Sequence, residues 1–335
     1  MSYSASMLPH GGPRSGGPDA GRVAAVLAQA LGRDGVTVKL TRLSAGASRE
    51  TYQVLAAADE WAETFILQLD RTAPGLRKTR VDEQVRLLEA ATRCGTPVPT
   101  VIACDSSCGQ LGTPFIISAF IPGETVPRRI LRAPELATAR AGFAVQCGQI
   151  LARLHAAPVG ELPGLDSGDR LDRVIEEIDL IGEPHPAFEL AIGWLRENRP
   201  PPVEKVLVHG DFRTGNLIMG PEGIRAVLDW EIAHLGDPAE DLAWLCLKTW
   251  RFRGGGEVGG MGELADLAAA YEQEGGRRVG PGRLFWWQVL GTLKWGSICQ
   301  HLARTHLDGH RRSVELAAIG RRVCETEYDL LRMLP

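Results

Sequence analysis

Apolar residues in the first third of the chain recur at two different periods. In Arg22–Leu31 (RVAAVLAQAL) they fall at helical spacing, and the run stops at Gly32. From Val36 the period shortens to two. VTVKLTRLSAGASRETYQVLAA reads as two strands about a Ser/Gly/Ala turn, and Thr64–Leu69 (TFILQL) as a third. Pro74-Gly75 interrupts the pattern. Val85, Leu88 and Ala91 then mark a helix over Val81–Thr92, ended by Pro97 and Pro99. Val101–Ala103 and Phe115–Ile121 are further strands, closed by Pro122-Gly123.

Beyond Gly123 the helical period dominates, in Ala141–Ala156 (AGFAVQCGQILARLHA), Leu171–Ile181 and Ala187–Glu197. Strand signals return in VEKVLVHGD, GNLIMG and GIRAVLDWE, the last two joined by Gly220-Pro221-Glu222-Gly223. From Pro238 the pattern is helical again, apart from a Gly-rich loop at Gly254–Gly260. This order predicts an α+β chain of two lobes. Residues 21–122 form a mainly antiparallel sheet with one helix, and residues 123–335 a mostly helical lobe. Residues 1–20, rich in Gly, Pro and Ser, have little to bury and read as a disordered leader.

Composition narrows the class without naming it. A length of 335 residues favours two lobes over one core. A net charge of -4 gives no general reason to expect nucleic acid or an anionic membrane as partner. No apolar run reaches membrane-spanning length, even around Phe285–Leu293. The start lacks the basic-then-apolar pattern of a secretory signal, and seven scattered cysteines fit reduced thiols, so a cytoplasmic location is expected. Cys104 and Cys108 have no second pair or nearby His and read as a turn, not a zinc site. Oligomeric state is left open.

The stretch VLVHGDFRTGNLIM concentrates chemistry between two apolar runs. Asp211 follows one strand, Asn216 precedes the next, and Asp229 ends a third, in VLDWE. The hairpin between the second and third strands predicts that the three side chains converge at one edge of a small sheet. Carboxylates packed together repel, and carboxylate and carboxamide oxygens suit Mg²⁺. Two of the three could hold the metal while the remaining carboxylate accepts a proton, which are the parts phosphoryl transfer needs.

HGDFRTGN followed by LDWE resembles the catalytic loop and metal-binding Asp of the aminoglycoside phosphotransferase family, which has the two-lobed protein-kinase-like fold. HGDFRTGNLI, AVLDWEIAHLGDPAEDLAW and SVELAAIGRRV resemble the branch associated with acyl-CoA dehydrogenases. The resemblance runs from about Val36 to the C-terminus. It implies ATP and Mg²⁺ as cofactors and phosphorylation of a small-molecule hydroxyl, in this branch a hydroxyacyl or related metabolite. Asp211 then matches the base, and Asn216 and Asp229 the Mg²⁺ ligands. Gly46 and Ser48 match the loop over the phosphates, Glu83 the helix glutamate that pairs with a basic residue on the third strand, and Ala119 and Ile121 the hinge that meets adenine. Arg213 stands where kinases often carry a cation reaching the transferring phosphate. Gln68 departs from the pattern, because kinases have Lys there and near relatives often Arg. The expected substitutes for that charge are Arg213 and, more weakly, Arg71.

Other polar residues have plainer readings. His209 is expected to brace the loop by hydrogen bonds, His155 to pack at the end of its helix, and His234, Asp237 and Asp241 to anchor the same region. Trp286, Trp287 and Trp295 read first as helix-face core. Two rival functions stand beside the small-molecule kinase: a nucleotide-binding pseudokinase with a regulatory role, and an antibiotic kinase, which would need an acidic pocket for polycationic drugs.

Overall fold

The computed structural model describes residues 17–45, 49–70, 80–162 and 164–335. They divide into two compact units. One comprises the chain up to Leu76 with Thr100–Phe120, the other Arg77–Pro99 with Ile121–Pro335.

In the first unit, helix α1 (Ala20–Leu31) opens on Asp19, whose Oδ1 accepts the N–H of Gly21 at 2.8 Å and of Arg22 at 3.2 Å. It ends at Gly32, which takes the left-handed conformation that residues with a Cβ avoid. The strands β1 (Thr37–Ala45), β2 (Arg49–Ala58), β3 (Trp61–Asp70), β4 (Val101–Asp105) and β5 (Phe115–Ala119) form one sheet in the order β1-β2-β3-β5-β4. All its pairings are antiparallel. Side chains alternate as the pattern requires. Tyr52, Val54, Ala56, Phe65, Leu67, Leu69, Phe115 and Ile117 cluster with Val23, Val26 and Leu27 of α1. The opposite face carries Thr51, Ile66, Gln68, Ile116 and Ser118 in register.

Helix α2 (Val81–Arg93) groups with the second unit. The chain after it is tied there, since Val227 donates its N–H to Pro97 O at 2.8 Å. The second unit continues with α3 (Pro127–Ile130), α4 (Ala137–Ala141), α5 (Phe143–His155), α6 (Arg170–Ile181) and α7 (Pro186–Glu197). The predicted helix over Ala141–Ala156 is thus split, with Gly142 between α4 and α5. Four short strands follow: β6 (Val206–Val208), β7 (Leu217–Gly220), β8 (Gly223–Val227) and β9 (His234–Gly236). Helices α8 (Ala239–Leu245), α9 (Leu264–Gln273), α10 (Pro281–Leu307), α11 (Val314–Gly320) and α12 (Val323–Met333) complete the unit. Among the described residues no helix is long and apolar enough to cross a membrane.

The sequence pattern placed the three central strands in one small sheet, but they fall in two. β7 pairs with β8, while β6 pairs with β9, with Val208 opposite His234. Three residues, His-Leu-Gly, are too short to show an alternating pattern, so β9 had no hydrophobic signature.

Candidate active site

The turn after β6 is shaped by one glycine and one buried carboxylate. Gly210 has φ 80°, and a Cβ there would lie 2.9 Å from Ile232 O. Asp241 of α8, fully buried, accepts the N–H of His209 at 2.8 Å and of Gly210 at 2.9 Å, one on each oxygen. Its Oδ2 also meets His155 Nε2 at 3.3 Å, and His155 Nδ1 lies 2.8 Å from the Tyr271 hydroxyl. Burial alone would push the Asp241 carboxyl up, but His155 and the backbone donors hold it below the usual range. His209 is fully buried. Its Nε2–H donates to Leu228 O at 3.0 Å, and its Nδ1 accepts the Asp211 N–H at 3.2 Å. Burial pushes its pKa below the ordinary histidine value, so the neutral ring that this pattern needs is the favoured form.

The Asp211 carboxylate sits at the centre of this frame. Oδ1 accepts from Arg213 Nε at 2.9 Å and from Trp244 Nε1 at 2.8 Å. Oδ2 accepts from Asn216 Nδ2 at 2.7 Å, and the same amide nitrogen donates to Asp211 O at 2.9 Å. Turning the nitrogen inward leaves the Asn216 carboxamide oxygen as the end that could take a cation. Asp229 is placed beside it by the hairpin. Leu217 faces Val227 in register, and Leu228 N–H then donates to Asn216 O at 2.8 Å, which puts Asp229 one residue further on. Asp229 is exposed and has φ 67°, a left-handed conformation uncommon for a residue with a side chain. A carboxamide and an exposed carboxylate on adjacent strand ends are oxygen donors of the kind Mg²⁺ takes.

Cations and aromatic rings close the surroundings. The Arg213 guanidinium stacks 4.7 Å over Trp250, which contacts Trp295 at 4.8 Å and Trp244 at 5.4 Å. Lys294 of α10 lies over Trp244 and reaches Gly210 O and Glu240 Oε1, each at 3.3 Å. Glu240 Oε2 also meets His234 Nε2 at 3.0 Å. Burial would raise the Glu240 carboxyl, yet the His234 ring and the Lys294 ammonium beside it hold it down to about 2. Beyond Trp295 lies a cavity of about 410 Å³, lined among others by the cations Lys248, Arg251 and Arg332 and the carboxylates Glu257 and Asp329.

The structure therefore brings together Asp211, Arg213 and Asn216, with Asp229 on the adjoining strand end. Gly46, Ser48 and Arg71 lie outside the described residues. Glu83 Oε2 accepts the N–H of Arg80 at 3.0 Å and so caps its own helix. The Ala119 N–H donates to Thr100 O at 2.8 Å, so the backbone group that Ala119 could offer a ligand is its carbonyl. Ile121 is the first residue of its stretch of the second unit. Trp244 and Lys294 were missed in the sequence. Trp244 closes the stretch AVLDWEIAHLGDPAEDLAW but was given no role of its own, Lys294 sits in no motif, and the fold carries both to the loop.

A model of the phosphotransferase enzyme family (APH) matches residues 39–281. The chain belongs to that family. It is 34% identical over 185 residues to mouse acyl-CoA dehydrogenase family member 10, covering 51% of this chain and 17% of that protein. It is 28% identical over 224 residues to human acyl-CoA dehydrogenase family member 11, covering 63% of this chain and 28% of that protein. The match thus spans less than a third of either relative. Among solved structures, a candidate aminoglycoside phosphotransferase from Ralstonia eutropha superimposes with a TM-score of 0.73 at 20% identity, covering 94% of this chain and 98% of the other. Spectinomycin phosphotransferase in complex with ADP and spectinomycin gives 0.62 at 15% identity, covering 89% and 94%. At these identities the likeness establishes the fold, which is protein-kinase-like.

Proposed function

We propose that the protein transfers the γ-phosphoryl group of ATP, with Mg²⁺, to a hydroxyl of a small molecule, Asp211 acting as base. The Asp211 carboxylate carries this reading. A carboxylate offers about two acceptor positions on each oxygen. Both on Oδ1 are taken, by Arg213 and Trp244, while Oδ2 receives Asn216 alone among the described residues. Oδ2 is therefore the oxygen that orients the acceptor hydroxyl and takes its proton as the new O–P bond forms.

Asn216 and Asp229 would hold Mg²⁺, which when bound neutralises phosphate charge. Arg213, fixed by Asp211 on one side and by the Trp250 ring on the other, adds a positioned cation near the migrating charge. His209 and Asp241 move no proton in this scheme. They keep the loop in one geometry, which is what positioning contributes to rate.

For the acceptor we infer a hydroxyacyl or related metabolite. The named relatives are acyl-CoA dehydrogenase family members, and that kinship supports an acyl compound. The cavity lining also weighs against a polycationic drug, because its cations outnumber its carboxylates. The test is a metabolite screen for products formed only with Mg²⁺ and ATP, read by mass spectrometry. Phosphorylated hydroxy compounds support the reading, and phosphorylation confined to aminoglycosides would replace it with a resistance kinase.

A further inference from the structure

Gly210 is bonded at both its backbone poles to charged side chains of opposite sign. Its N–H donates to the Asp241 carboxylate at 2.9 Å, and its carbonyl accepts from the Lys294 ammonium at 3.3 Å. The peptide between Gly210 and Asp211 is likewise held at both ends. The Gly210 carbonyl at one end meets Lys294, and the Asp211 N–H at the other donates to His209 Nδ1 at 3.2 Å. That planar unit sets where the Cα of Asp211 sits and where its side chain starts.

Lys294 comes from the middle of α10 and is itself fixed from two sides. Glu240 Oε1 accepts from its ammonium at 3.3 Å, while Oε2 of the same carboxylate meets His234 Nε2 at 3.0 Å. His234 packs against the turn as well. Its Nδ1 meets Ile232 O at 2.9 Å, and a Cβ on Gly210 would lie 3.3 Å from its ring. Glu240 therefore joins two side chains that both pack on Gly210. The ammonium also lies 4.8 Å from the centre of the Trp244 ring, whose N–H binds Asp211 Oδ1. Stability alone does not account for this arrangement. The Lys294 and Glu240 side chains are only 18% and 5% exposed, and a pair so buried is often no more stabilising than apolar side chains of similar volume. What an apolar residue at position 294 would lack is the donor to Gly210 O.

We propose that Lys294 is a positioning residue for phosphoryl transfer. It holds the peptide before Asp211 in one plane and backs the indole that binds the Asp211 carboxylate, so that Oδ2 keeps its aim at the acceptor hydroxyl. Its effect reaches the reaction through Gly210 and Trp244. This inference rests on the phosphotransferase reading above.

The experiment is single-turnover transfer from ATP, with Mg²⁺, to a mixture of hydroxy acids and to water, beside calorimetric titration of ATP. Rates are taken well below each variant's melting temperature, so that lost stability alone does not register. Lys294→Met keeps the stem and removes the charged donor. It should slow transfer about tenfold to a hundredfold, the range of a hydrogen bond from a charged group. ATP affinity should stay within about twofold, because the interaction lost acts on the chemical step. Lys294→Arg returns a charged donor and should be the faster of the two variants. Should Lys294→Met not fold, combining it with Glu240→Gln removes both charges, leaves no lone buried carboxylate and should show the same slowing. A wild-type rate in whichever of these two folds overturns the proposal, as does a loss of ATP affinity as large as the loss of rate. Lys294→Arg no faster than Lys294→Met also overturns it, since the loss then belongs to packing. With transfer by wild type intact, each of these results overturns this assignment alone. Wild type that transfers to neither hydroxy acids nor water overturns the phosphotransferase reading and this assignment with it.

Discussion

Trp244 donates its indole N–H to Asp211 Oδ1 at 2.8 Å. The same short helix, α8, carries Asp241, three residues earlier, whose carboxylate holds the backbone of His209 and Gly210. Residues three apart share a helix face. One face of α8 therefore fixes the loop after β6 twice, through its backbone and through the side chain of its central carboxylate.

Replacing Trp244 with Phe keeps a ring in that place and removes one donor. The lost hydrogen bond to a charged group is worth about 1.5–3 kcal/mol. Turnover should fall about tenfold or more, while KM for ATP stays near wild type, in steady-state kinetics. A variant with unchanged kcat would mean that the indole merely fills space.

Asp229→Ala removes the only carboxylate of the proposed metal pair. Site affinity for a hard cation depends on ligand charge. Titrating Mg²⁺ against a fixed concentration of a non-hydrolysable ATP analogue should show the metal requirement shifted upward by about tenfold or more, by the same dependence on charged ligands. The same Mg²⁺ curve as wild type would place the metal elsewhere.

Glu240 links stability to pH. Its folded pKa of about 2 lies below the ordinary 4.5, so its contribution is fully present above that value. It is lost as pH falls from 4.5 towards 2. Glu240→Gln should cost about 3 kcal/mol at neutral pH, since it leaves Lys294 and His234 without their carboxylate. The gap to wild type should narrow in denaturant melts carried out below pH 4.5. A gap independent of pH would show that the charge is not what counts.

Gly148 lets two helices approach. A Cβ there would lie 2.6 Å from Leu267 O and 2.8 Å from Tyr271 N, both backbone atoms of α9. Overpacking of this kind costs about 1–3 kcal/mol. Gly148→Ala should lower the melting temperature, and a variant at least as stable as wild type would show that α5 and α9 can separate freely.

Much of this site was legible in the chain. The polar residues of HGDFRTGN and LDWE stand out against apolar flanks, and the hairpin between them is marked by Gly-Pro-Glu-Gly, so Asp211, Asn216 and Asp229 could be placed together. What supports them was legible only in part, since His209 and Asp241 were expected to brace the loop while β9 and Lys294 were not. β9 is three residues long, and Lys294 lies in the middle of a 27-residue helix. Its contact with Gly210 O depends on tertiary packing that no local period records. The cap made by Glu83 was not legible for a related reason. A glutamate in the first turn of a helix fits both a capping role and an ion pair, and the sequence pattern is the same for both.

The central claim is that Asp211 is the base of an ATP-dependent phosphotransferase. Its most direct test is a single-turnover measurement with Mg²⁺, ATP and an acceptor found by the metabolite screen, comparing wild type with Asp211→Asn. The substitution keeps the side-chain shape and removes the proton acceptor, a role worth about 10²–10⁴-fold. The expected result is a phosphoryl-transfer rate lower by that factor in the variant, with ATP affinity close to wild type. Transfer at the wild-type rate in Asp211→Asn would contradict the account.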